Sequence, residues 1–337
     1  MRTIALPPVL LAPVLLALSA QAPPPKPGAV LAPSEIVAAA PAADWVTIAA
    51  SDLLVMDLAP DRDGNARRVV IQLMPPPFSQ GWVGNVRLLA AAHWWDGLSI
   101  NRVQDNYVVQ WGDADGEDKA KAKKLPPGLV TVQERDYDVG AQKFRDAQID
   151  TPANATAGAT IGAVDLADQA AKLEAQSSHI DAYASRIDIY KGWALAGNDK
   201  DLWPVHCYGM VGVGRNLSPD TGTGAELYTV IGHAPRHLDR NIALVGRVIS
   251  GIENLSSLPR GTGALGFYEK PERRVTIISI RLGNEVADLP RYQYLSTESA
   301  SFAKYADARA NRRDAFFIVP AGGADICNIP VPVRKAP

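Results

Sequence analysis

The sequence predicts a mainly β protein that carries a partly helical insertion and a C-terminal helical extension. Short apolar runs rich in Val, Ile, Leu and Tyr alternate with turn residues at positions 53–113 and again at 210–280. Such runs, bounded by Gly, Pro, Asp and Asn, are typical of β-strands and hairpins. Residues 117–203 contain more charged and small residues, so we expect them to form an insertion between the two β-rich stretches.

Composition and charge are those of an ordinary globular protein. The chain has 337 residues, of which 47% are hydrophobic and 21% are charged, and this balance can bury a sizeable core. The formal net charge is −2. This value gives no indication of nucleic acid or of an anionic membrane surface as a partner.

The N-terminus has the pattern of a secretory signal peptide. Arg2 provides a short basic start, an apolar run covers residues 4–18, and small residues follow up to Ala20. The run is too short and too rich in proline for a spanning helix, although an uncleaved anchor is the alternative. We therefore expect a signal peptide at residues 1–20 and a disordered Pro- and Ala-rich spacer at residues 21–44. The mature protein would lie in the periplasm or outside the cell, without stable membrane insertion.

The first β-rich stretch predicts two hairpins with a helix between them. Strands at residues 53–58 and 68–73 are joined by a turn that contains Asp63 and Gly64, a strong hairpin signal. A run of prolines ends the second strand. Residues 81–94 then place apolar residues at helical spacing, which predicts a helix.

The second hairpin carries polar side chains on one face. Arg102 lies late in one apolar run, a turn follows at residues 104–106, and Gln110 lies in the middle of the next run. Val108 and Gln110 share strand parity, so both point to the same face of the sheet. The pattern predicts a hairpin that presents hydrogen-bond donors on one face.

The remaining elements follow similar signals. Within the insertion, a linker of small residues at 150–160 precedes a predicted helix at residues 164–189. Ser296 is expected to cap a C-terminal helix at residues 296–311. A short helix is expected at residues 251–258. Strands are expected at residues 210–213, 226–232, 242–248 and 275–280.

The sequence contains no convincing metal, nucleotide or cofactor site. The segment around Gly222 and Gly224 lacks the Lys-Ser/Thr of a phosphate-binding loop and precedes a predicted strand. His233 and His237 are four residues apart, but Pro235 opposes a regular helix and no Glu or Cys completes a ligand set. We therefore expect neither a metal nor a cofactor.

The two cysteines, Cys207 and Cys327, lie far apart in the chain. In an oxidising compartment two such thiols often pair, and a disulfide here would tie the C-terminal extension to the core. Two unpaired buried thiols are the alternative.

A series of segments resembles, in order, the motifs of cyclophilins, the prolyl isomerases. The hairpin at residues 53–73 is similar to the family's opening hairpin. The other matches are residues 85–89 with Glu-Asn-Phe-Arg-x-Leu, 95–103 with Tyr-Asp-Gly-Thr-x-Phe-His-Arg-Val, 107–113 with Phe-Met-x-Gln-Gly-Gly-Asp, 226–228 with Gln-Phe-Phe, 237–239 with Trp-Leu-Asp, and 245–248 with Phe-Gly-x-Val.

The resemblance implies an eight-stranded antiparallel β-barrel capped by two helices. The cyclophilin-like domain would cover residues 45–285, with the extension at residues 286–337. The resemblance also implies cis–trans isomerisation of X–Pro bonds without a cofactor, in a protein expected to be a monomer that binds proline-containing polypeptides. Arg102 matches the cation that stabilises the twisted amide, and Gln110 matches the residue that holds the substrate backbone.

The resemblance also assigns a substrate groove. Gly214 lies where the family has a small residue whose backbone contacts the peptide. The apolar pocket for the proline ring would be formed by Tyr107, Val108, Tyr228 and Leu238.

Several substitutions in this groove depart from the family pattern, among them Ile242 at the place of a pocket histidine, Tyr107 and Tyr228 for phenylalanines, and Val108 for a methionine. His237 replaces a pocket tryptophan, and Glu226 replaces a glutamine that supports the arginine and could pair with Arg102. We therefore weigh three functions. The leading one is an exported isomerase that assists the folding of exported proteins. The alternatives are a weakly active or inactive module that binds proline peptides, and an unrelated exported barrel that binds a small ligand.

Overall fold

The computed structural model describes residues 30–149 and 181–337, so the predicted signal peptide lies outside the described residues. Among the described residues, no helix is long and apolar enough to cross a membrane. The described helices are α1 (Pro33–Ala39), α2 (Gln80–Ala91), α3 (Ala141–Ile149), α4 (Glu253–Ser256) and α5 (Ala300–Ala310). The described strands are β1 (Trp45–Thr47), β2 (Leu53–Leu58), β3 (Arg67–Leu73), β4 (Ser99–Val103), β5 (Val108–Gly112), β6 (Val139–Gly140), β7 (Arg186–Tyr190), β8 (Trp193–Gly197), β9 (Asp201–Pro204), β10 (Met210–Val213), β11 (Leu227–Val230), β12 (Leu244–Ser250), β13 (Val275–Leu282), β14 (Tyr292–Leu295) and β15 (Val333–Lys335).

Eight of these strands close into a barrel, which confirms the predicted fold class. Around the barrel they follow the order β10-β11-β5-β4-β13-β2-β3-β12. Every neighbouring pair is antiparallel. Closure pairs the edges that an open sheet would expose. The β2–β3 and β4–β5 pairs are the two hairpins that the sequence predicts.

The turn of the first hairpin shows how local sequence sets the strand pairing. The Asp61 side chain accepts hydrogen bonds from the backbone nitrogens of Asp63 and Asn65, at 2.9 and 2.8 Å. Gly64 has φ +82°, in the left-handed region that glycine adopts without steric cost. The turn thus supplies its own hydrogen bonds and leaves the strands to pair from Leu58 and Arg67 onward.

Helix α2 covers part of the barrel core. Trp82, Val86 and Leu89 recur at helical spacing and have no exposed surface, so this apolar face is fully packed. The helix ends before the predicted residue 94. His93 adopts φ +52°, a left-handed conformation that ends a helix, and the chain turns there.

Helix α4 packs beside β3 and is shorter than the predicted helix at residues 251–258. Gly251 has φ +81°, and a Cβ at this position would collide with the carbonyl oxygen of Arg68. Asn254 also donates a side-chain hydrogen bond to that oxygen, at 3.0 Å. Residue 251 therefore belongs to the close approach to β3, and the helix begins after it.

Two further sheets lie outside the barrel. One has the strand order β6-β9-β8-β7 and contains described parts of the insertion. The other has the order β1-β14-β15. In that sheet Trp45 pairs with Leu295. The first strand after the predicted spacer therefore belongs with the C-terminal extension and not with the barrel.

The prediction of a helix at residues 164–189 is wrong at its C-terminal end, where β7 and β8 form a hairpin. Residues 164–180 lie outside the described part of the chain. Arg-Ile-Asp-Ile-Tyr in β7 alternates polar and apolar residues, which is the period of a strand. Lys191 and Gly192 have φ +46° and +86°, the conformation that a two-residue hairpin loop requires.

The prediction of a disordered spacer up to residue 44 is wrong for residues 33–44. Residues 33–39 form α1, and Ile36 and Val37 pack against the apolar cluster that contains Phe302 of α5. Burial of these two side chains offsets part of the entropy cost of ordering the segment. The chain before β1 is therefore packed against the C-terminal extension.

Helix α5 begins later than predicted. Its N-cap is Ser299, whose side-chain oxygen accepts a hydrogen bond from the backbone nitrogen of Phe302 at 3.0 Å. The expected cap, Ser296, instead donates its hydroxyl hydrogen to Glu298. Both serines precede helical residues, so the residue type alone does not show which of them is the N-cap.

Cys207 and Cys327 form a disulfide, the pairing that the sequence favoured. Cys327 follows Ile326, which is 3% exposed and packs in a cluster with Trp203 and Val205. The bond joins the segment between β9 and β10 to the C-terminal extension. The extension is thus tied covalently to the segment that leads into the barrel.

Candidate active site

The β4–β5 hairpin brings Arg102 and Gln110 together. The two residues are cross-strand partners. Nη1 of Arg102 donates to Oε1 of Gln110 at 3.1 Å, and Nη2 donates to Oε1 of Gln104 in the following turn. Because both acceptors are neutral amides, they orient the guanidinium group and leave its charge uncompensated.

The loop between α4 and β13 holds the remaining edge of Arg102. Its Nε donates to the backbone oxygen of Leu265 at 2.7 Å. Leu265 has φ +55° and Gly266 has φ +81°. A Cβ on Gly266 would lie 2.7 Å from Cα of Gln104, so the loop approaches β4 this closely only with glycine there. The ring centroid of Phe267 lies 5.5 Å from Cζ of Arg102.

Arg102 is a charged group in partly buried surroundings. Burial lowers the pKa of Arg102, and Tyr107 acts in the opposite direction. Arginine still carries its proton at neutral pH, so burial makes its field less screened and does not remove it. Within residues 30–149 and 181–337, no carboxylate lies within ion-pair distance of Arg102.

The ion pair with Arg102 that the sequence suggested for Glu226 does not form. Oε1 of Glu226 instead accepts a hydrogen bond from the backbone nitrogen of Asp113 at 2.7 Å. Its carboxyl group fills the space beside Gly112, where a Cβ would collide with it. Burial raises the pKa of Glu226 to about 8, although the hydrogen bonds from Asp113 and Gln110 act to lower it. The group is therefore largely neutral at pH 7.

One cavity of about 950 Å³ brings most of the predicted site residues together. Val108 and Tyr228 on its wall are only 3% and 5% exposed and pack with Val230 in a small apolar cluster. Predicted residues that line the cavity are Arg102, Tyr107, Val108, Gln110, Gly214, Glu226, Tyr228 and Leu238.

His237 is the predicted substrate-binding residue that is not among the described residues lining the cavity. Its ring stacks on that of Tyr107, with the centroids 6.5 Å apart and the planes 10° apart. His237 is exposed and contacts the cavity residue Tyr107 without lining the cavity itself. Gly214 does line the cavity, and a Cβ there would lie 2.9 Å from Cβ of Glu226, so packing favours bare backbone at this point.

A buried hydrogen-bond network behind Tyr228 was missed by sequence reasoning. Nε2 of His206 lies 2.9 Å from the Tyr228 hydroxyl oxygen, and Nδ1 lies 2.8 Å from Oδ1 of Asp239. Arg236 donates to Oδ2 of Asp239 at 2.7 Å and to both carboxylate oxygens of Asp181 at 2.8 and 3.1 Å. Arg236 and Asp239 are three residues apart, but Asp181, His206 and Tyr228 are distant from them in the sequence, so only the fold reveals the network.

The network fixes the state of His206. Burial lowers the pKa of His206, while the hydrogen bond and charge of Asp239 act in the opposite direction. A neutral imidazole donates from one nitrogen and accepts at the other. Because the Asp239 carboxylate can only accept, we assign the hydrogen to Nδ1 of His206. Nε2 then accepts the hydroxyl hydrogen of Tyr228.

The cavity lining thus places the Arg102 guanidinium group beside the Gln110 amide and an apolar wall of Val108 and Tyr228, with further charged side chains such as Arg215 and Glu117 elsewhere on the lining. Such a lining can bind an extended peptide and stabilise electron density that develops on one of its atoms. In the described parts of the chain, no three His, Cys, Asp or Glu side chains come together to hold a metal ion.

Comparisons with known proteins agree with the observed barrel. The family model described as "Cyclophilin type peptidyl-prolyl cis-trans isomerase/CLD" matches residues 68–282. The crystal structure of cyclophilin AquaCyp293 from Hirschia baltica is 17% identical in sequence, with 87% of this chain and 94% of that chain covered, at a TM-score of 0.58. That likeness is one of fold. A search of curated proteins found no match.

Two crystal structures of a cyclophilin type peptidyl-prolyl cis-trans isomerase from Cryptosporidium parvum are more distant. Each is 10% identical and aligns over 68% of this chain, covering 96% and 98% of those chains, with TM-scores of 0.37 and 0.35. The second was determined in the presence of the dipeptide Ala-Pro. The match to the family model spans more than half of the sequence. The chain therefore belongs to the family of cyclophilin-type peptidyl-prolyl cis–trans isomerases.

Proposed function

We propose that the protein isomerises X–Pro bonds in exported polypeptides and so assists their folding, with Arg102 as the catalytic residue. The observation that carries this proposal is the environment of Arg102. Its guanidinium group lines the cavity, hydrogen-bonds only to neutral oxygen acceptors, and has no carboxylate within ion-pair distance among the described residues.

The chemistry needs no nucleophile. Amide resonance sets a barrier of about 18–20 kcal/mol to rotation about a peptide bond. In the twisted transition state the prolyl nitrogen becomes pyramidal and regains its lone pair. A positively charged donor at that nitrogen therefore stabilises the transition state more than the planar ground state, which is the condition for catalysis. Arg102 takes this role.

The other cavity residues bind and orient the substrate. Gln110 holds the substrate backbone beside the guanidinium group through its side-chain amide. The proline ring occupies an apolar pocket lined by Tyr107, Val108, Tyr228 and Leu238. Fixing the ring while the preceding carbonyl group rotates confines the motion to one bond, which lowers the entropy cost of reaching the transition state.

The proposed compartment is the periplasm or the exterior of the cell. Two features support it: the signal-peptide pattern at residues 1–20, and the disulfide between Cys207 and Cys327. Reducing cytosols keep most thiols unpaired, so a structural disulfide favours an oxidising compartment. N-terminal sequencing of the protein recovered from its host would test export, since a start near residue 21 is expected.

The direct test is the isomerisation of short X–Pro peptides by the purified protein, with X varied. We expect acceleration well above the uncatalysed rate. Arg102→Ala should reduce kcat/KM by about 10²–10³-fold, the usual effect of losing one transition-state donor. Arg260→Ala is a matched control, because Arg260 is a neighbouring arginine that pairs with Asp105 and does not line the cavity.

A wild-type protein that binds these peptides without accelerating their isomerisation would contradict the catalytic proposal. That result would favour the alternative of a binding module for proline peptides. If Arg102→Ala and Arg260→Ala reduced kcat/KM equally, the role of Arg102 would be contradicted.

A further inference from the structure

We propose that His206 is a positioning residue that holds the ring of Tyr228 in the wall of the proline pocket through the Tyr228 hydroxyl group. This inference rests on the proposed function, because it concerns how the same cavity recognises the prolyl ring. His206 has no exposed surface and does not line the cavity, so it acts through Tyr228.

The contact between the two rings is specific. The Tyr228 ring lines the cavity, and its hydroxyl oxygen lies 2.9 Å from Nε2 of His206. The two rings are nearly parallel, with an angle of 11° between their planes. Because Nε2 is the acceptor, the hydroxyl group has one defined partner and the ring one defined position.

The barrel makes room for this hydroxyl group. Gly212 on β10 is the cross-strand partner of Tyr228 on β11. A Cβ on Gly212 would collide with the Tyr228 hydroxyl oxygen and with the ring carbon that bears it. Only glycine therefore allows the tyrosine to extend across the neighbouring strand to His206. The contact depends on two strands and on the segment before β10.

The far end of the network is anchored. Oδ1 of Asp239 accepts hydrogen bonds from both the backbone nitrogen and Nδ1 of His206, at 3.0 and 2.8 Å. Arg236 binds the other oxygen of Asp239 and also pairs with Asp181. These paired charges fix the His206 ring without facing the substrate cavity. A pocket wall held in this way need not be ordered when the substrate binds, which favours affinity.

Two matched substitutions separate the two contacts of His206. His206→Asn retains an amide donor near the position of Nδ1, which faces Asp239, but loses the partner of Tyr228. His206→Gln places an amide oxygen near the position of Nε2, where it can still accept from Tyr228. We expect His206→Asn to raise both the KM and the Kd of an X–Pro peptide about three- to tenfold, the value of one hydrogen bond. Its kcat should stay within about twofold of wild type, and His206→Gln should lie closer to wild type.

Tyr228→Phe supplies the decisive coupling measurement. This variant keeps the ring and removes the hydroxyl group, so we expect an increase in KM and Kd similar to that of His206→Asn. Adding His206→Asn to Tyr228→Phe should then produce little further change, because the contact has already been lost. A general structural role of His206 would give additive effects and would change kcat as well.

Tyr305→Phe is the matched control. Tyr305 is 6% exposed and donates its hydroxyl hydrogen to the carbonyl oxygen of Pro330 at 2.7 Å, within the cluster between α1 and α5. The substitution removes a comparable buried tyrosine hydroxyl group far from the described cavity lining. We expect KM, kcat and Kd to remain those of wild type.

The outcomes distinguish this inference from the proposed function. If the protein shows no turnover but the variants change the Kd as expected, the isomerase function is overturned and His206 remains a positioning residue of a binding site. Turnover with an unchanged KM and Kd in both His206→Asn and Tyr228→Phe would overturn the inference alone. If His206→Asn does not fold, Tyr228→Phe decides, since a Kd equal to that of wild type would contradict the role of the hydroxyl contact.

Discussion

The two walls of the substrate cavity are held in place by different chemistry. On one side, Arg102 is oriented by neutral oxygen acceptors from Gln104, Gln110 and the backbone of Leu265. On the other side, Tyr228 is held by His206, behind which lies a buried network of paired charges. Of these side chains, only Arg102 presents a charge to the cavity.

The difference matches the roles proposed for the two walls. A cation that must stabilise electron density on the substrate loses part of its effect if a carboxylate already compensates it. Charges that only fix geometry are best paired with one another and kept away from the substrate, because a lone buried charge is costly. We therefore expect changes behind Tyr228 to alter stability and affinity, and changes around Arg102 to alter the rate.

The largest expected effect on stability comes from removing the disulfide. Cys207 directly follows His206, so the bond also restrains the segment that supports Tyr228. The paired cysteines are 120 residues apart, and closing such a loop contributes roughly 5 kcal/mol in the chain-entropy model. Cys207→Ala with Cys327→Ala should lower the free energy of unfolding by up to that amount, measured by chemical denaturation.

Reducing agent provides the control for this prediction. It should destabilise the wild type to about the level of the double variant and leave the double variant unchanged. A loss of less than about 1 kcal/mol would mean that the bond restrains neither the unfolded chain nor the segment beside His206.

The next effect comes from breaking the buried ion pair between Asp181 and Arg236. Both side chains are about 5% exposed or less, and Asp181→Ala leaves Arg236 with Asp239 as its remaining carboxylate. We expect a loss of about 3 kcal/mol in the free energy of unfolding, the lower end for a broken buried pair. Asp57→Ala, which removes the partly exposed pair with Arg68, should cost about 1 kcal/mol or less.

The sign of the pH dependence provides a second test of Asp181. Burial acts to raise the pKa of Asp181, but the hydrogen bonds from Arg236 and its charge outweigh it, and the pKa is lowered. The ionised form is therefore favoured in the folded state. Its contribution to stability is present above the unfolded pKa and is lost as the pH falls through the folded pKa. The difference between wild type and Asp181→Ala should shrink with acidification, and a growing difference would contradict the assignment.

A smaller effect, on the rate, is expected from giving Arg102 a counter-charge. Gln110→Glu keeps the shape of the side chain and places a carboxylate against the guanidinium group, to which Gln110 already bonds at 3.1 Å. We expect kcat/KM to fall about tenfold, since a hydrogen bond between charged groups contributes roughly 1.5–3 kcal/mol and competes with the substrate. Thermal stability should be equal to that of wild type or higher. Unchanged kcat/KM would show that Arg102 does not need an uncompensated charge.

The last effect concerns Glu226 and the pH dependence of stability. Burial raises the pKa of Glu226 from 4.5 to about 8. Between these two values the folded state binds the proton more strongly than the unfolded state, so the stability of wild type falls as the pH rises. The difference in melting temperature between Glu226→Gln and wild type should therefore shift in favour of the variant as the pH rises from 5 to 8. Parallel curves over this range would mean that Glu226 ionises normally.

The barrel was predictable because its signals are local. The Asp63-Gly64 turn and the strand parity of Val108 and Gln110 each depend on a few neighbouring residues, and the order of the motifs supplied the topology. The groove residues followed from their places in those motifs. His237 did not, because its contact with the cavity is indirect and goes through Tyr107.

The surroundings of the barrel were harder to predict. The alternating residues of β7 follow residues with helical spacing, and this pattern predicts the end of a helix there. Helix α1 is stabilised by α5, which lies at the other end of the sequence. The network from Asp181 to Tyr228 joins residues that come together only when the insertion meets the barrel. Non-local contacts of this kind leave no periodic signal in one sequence.

The most direct measurement of the central claim is the isomerisation rate of one X–Pro peptide with a charge series at residue 102. Arg102→Gln removes the charge and keeps a donor, whereas Arg102→Lys keeps the charge and loses the fork of donors. We predict that Arg102→Lys retains part of the acceleration and that Arg102→Gln loses nearly all of it, with the peptide Kd little changed in both variants. A Gln variant with the wild-type rate would contradict catalysis by the charge of Arg102.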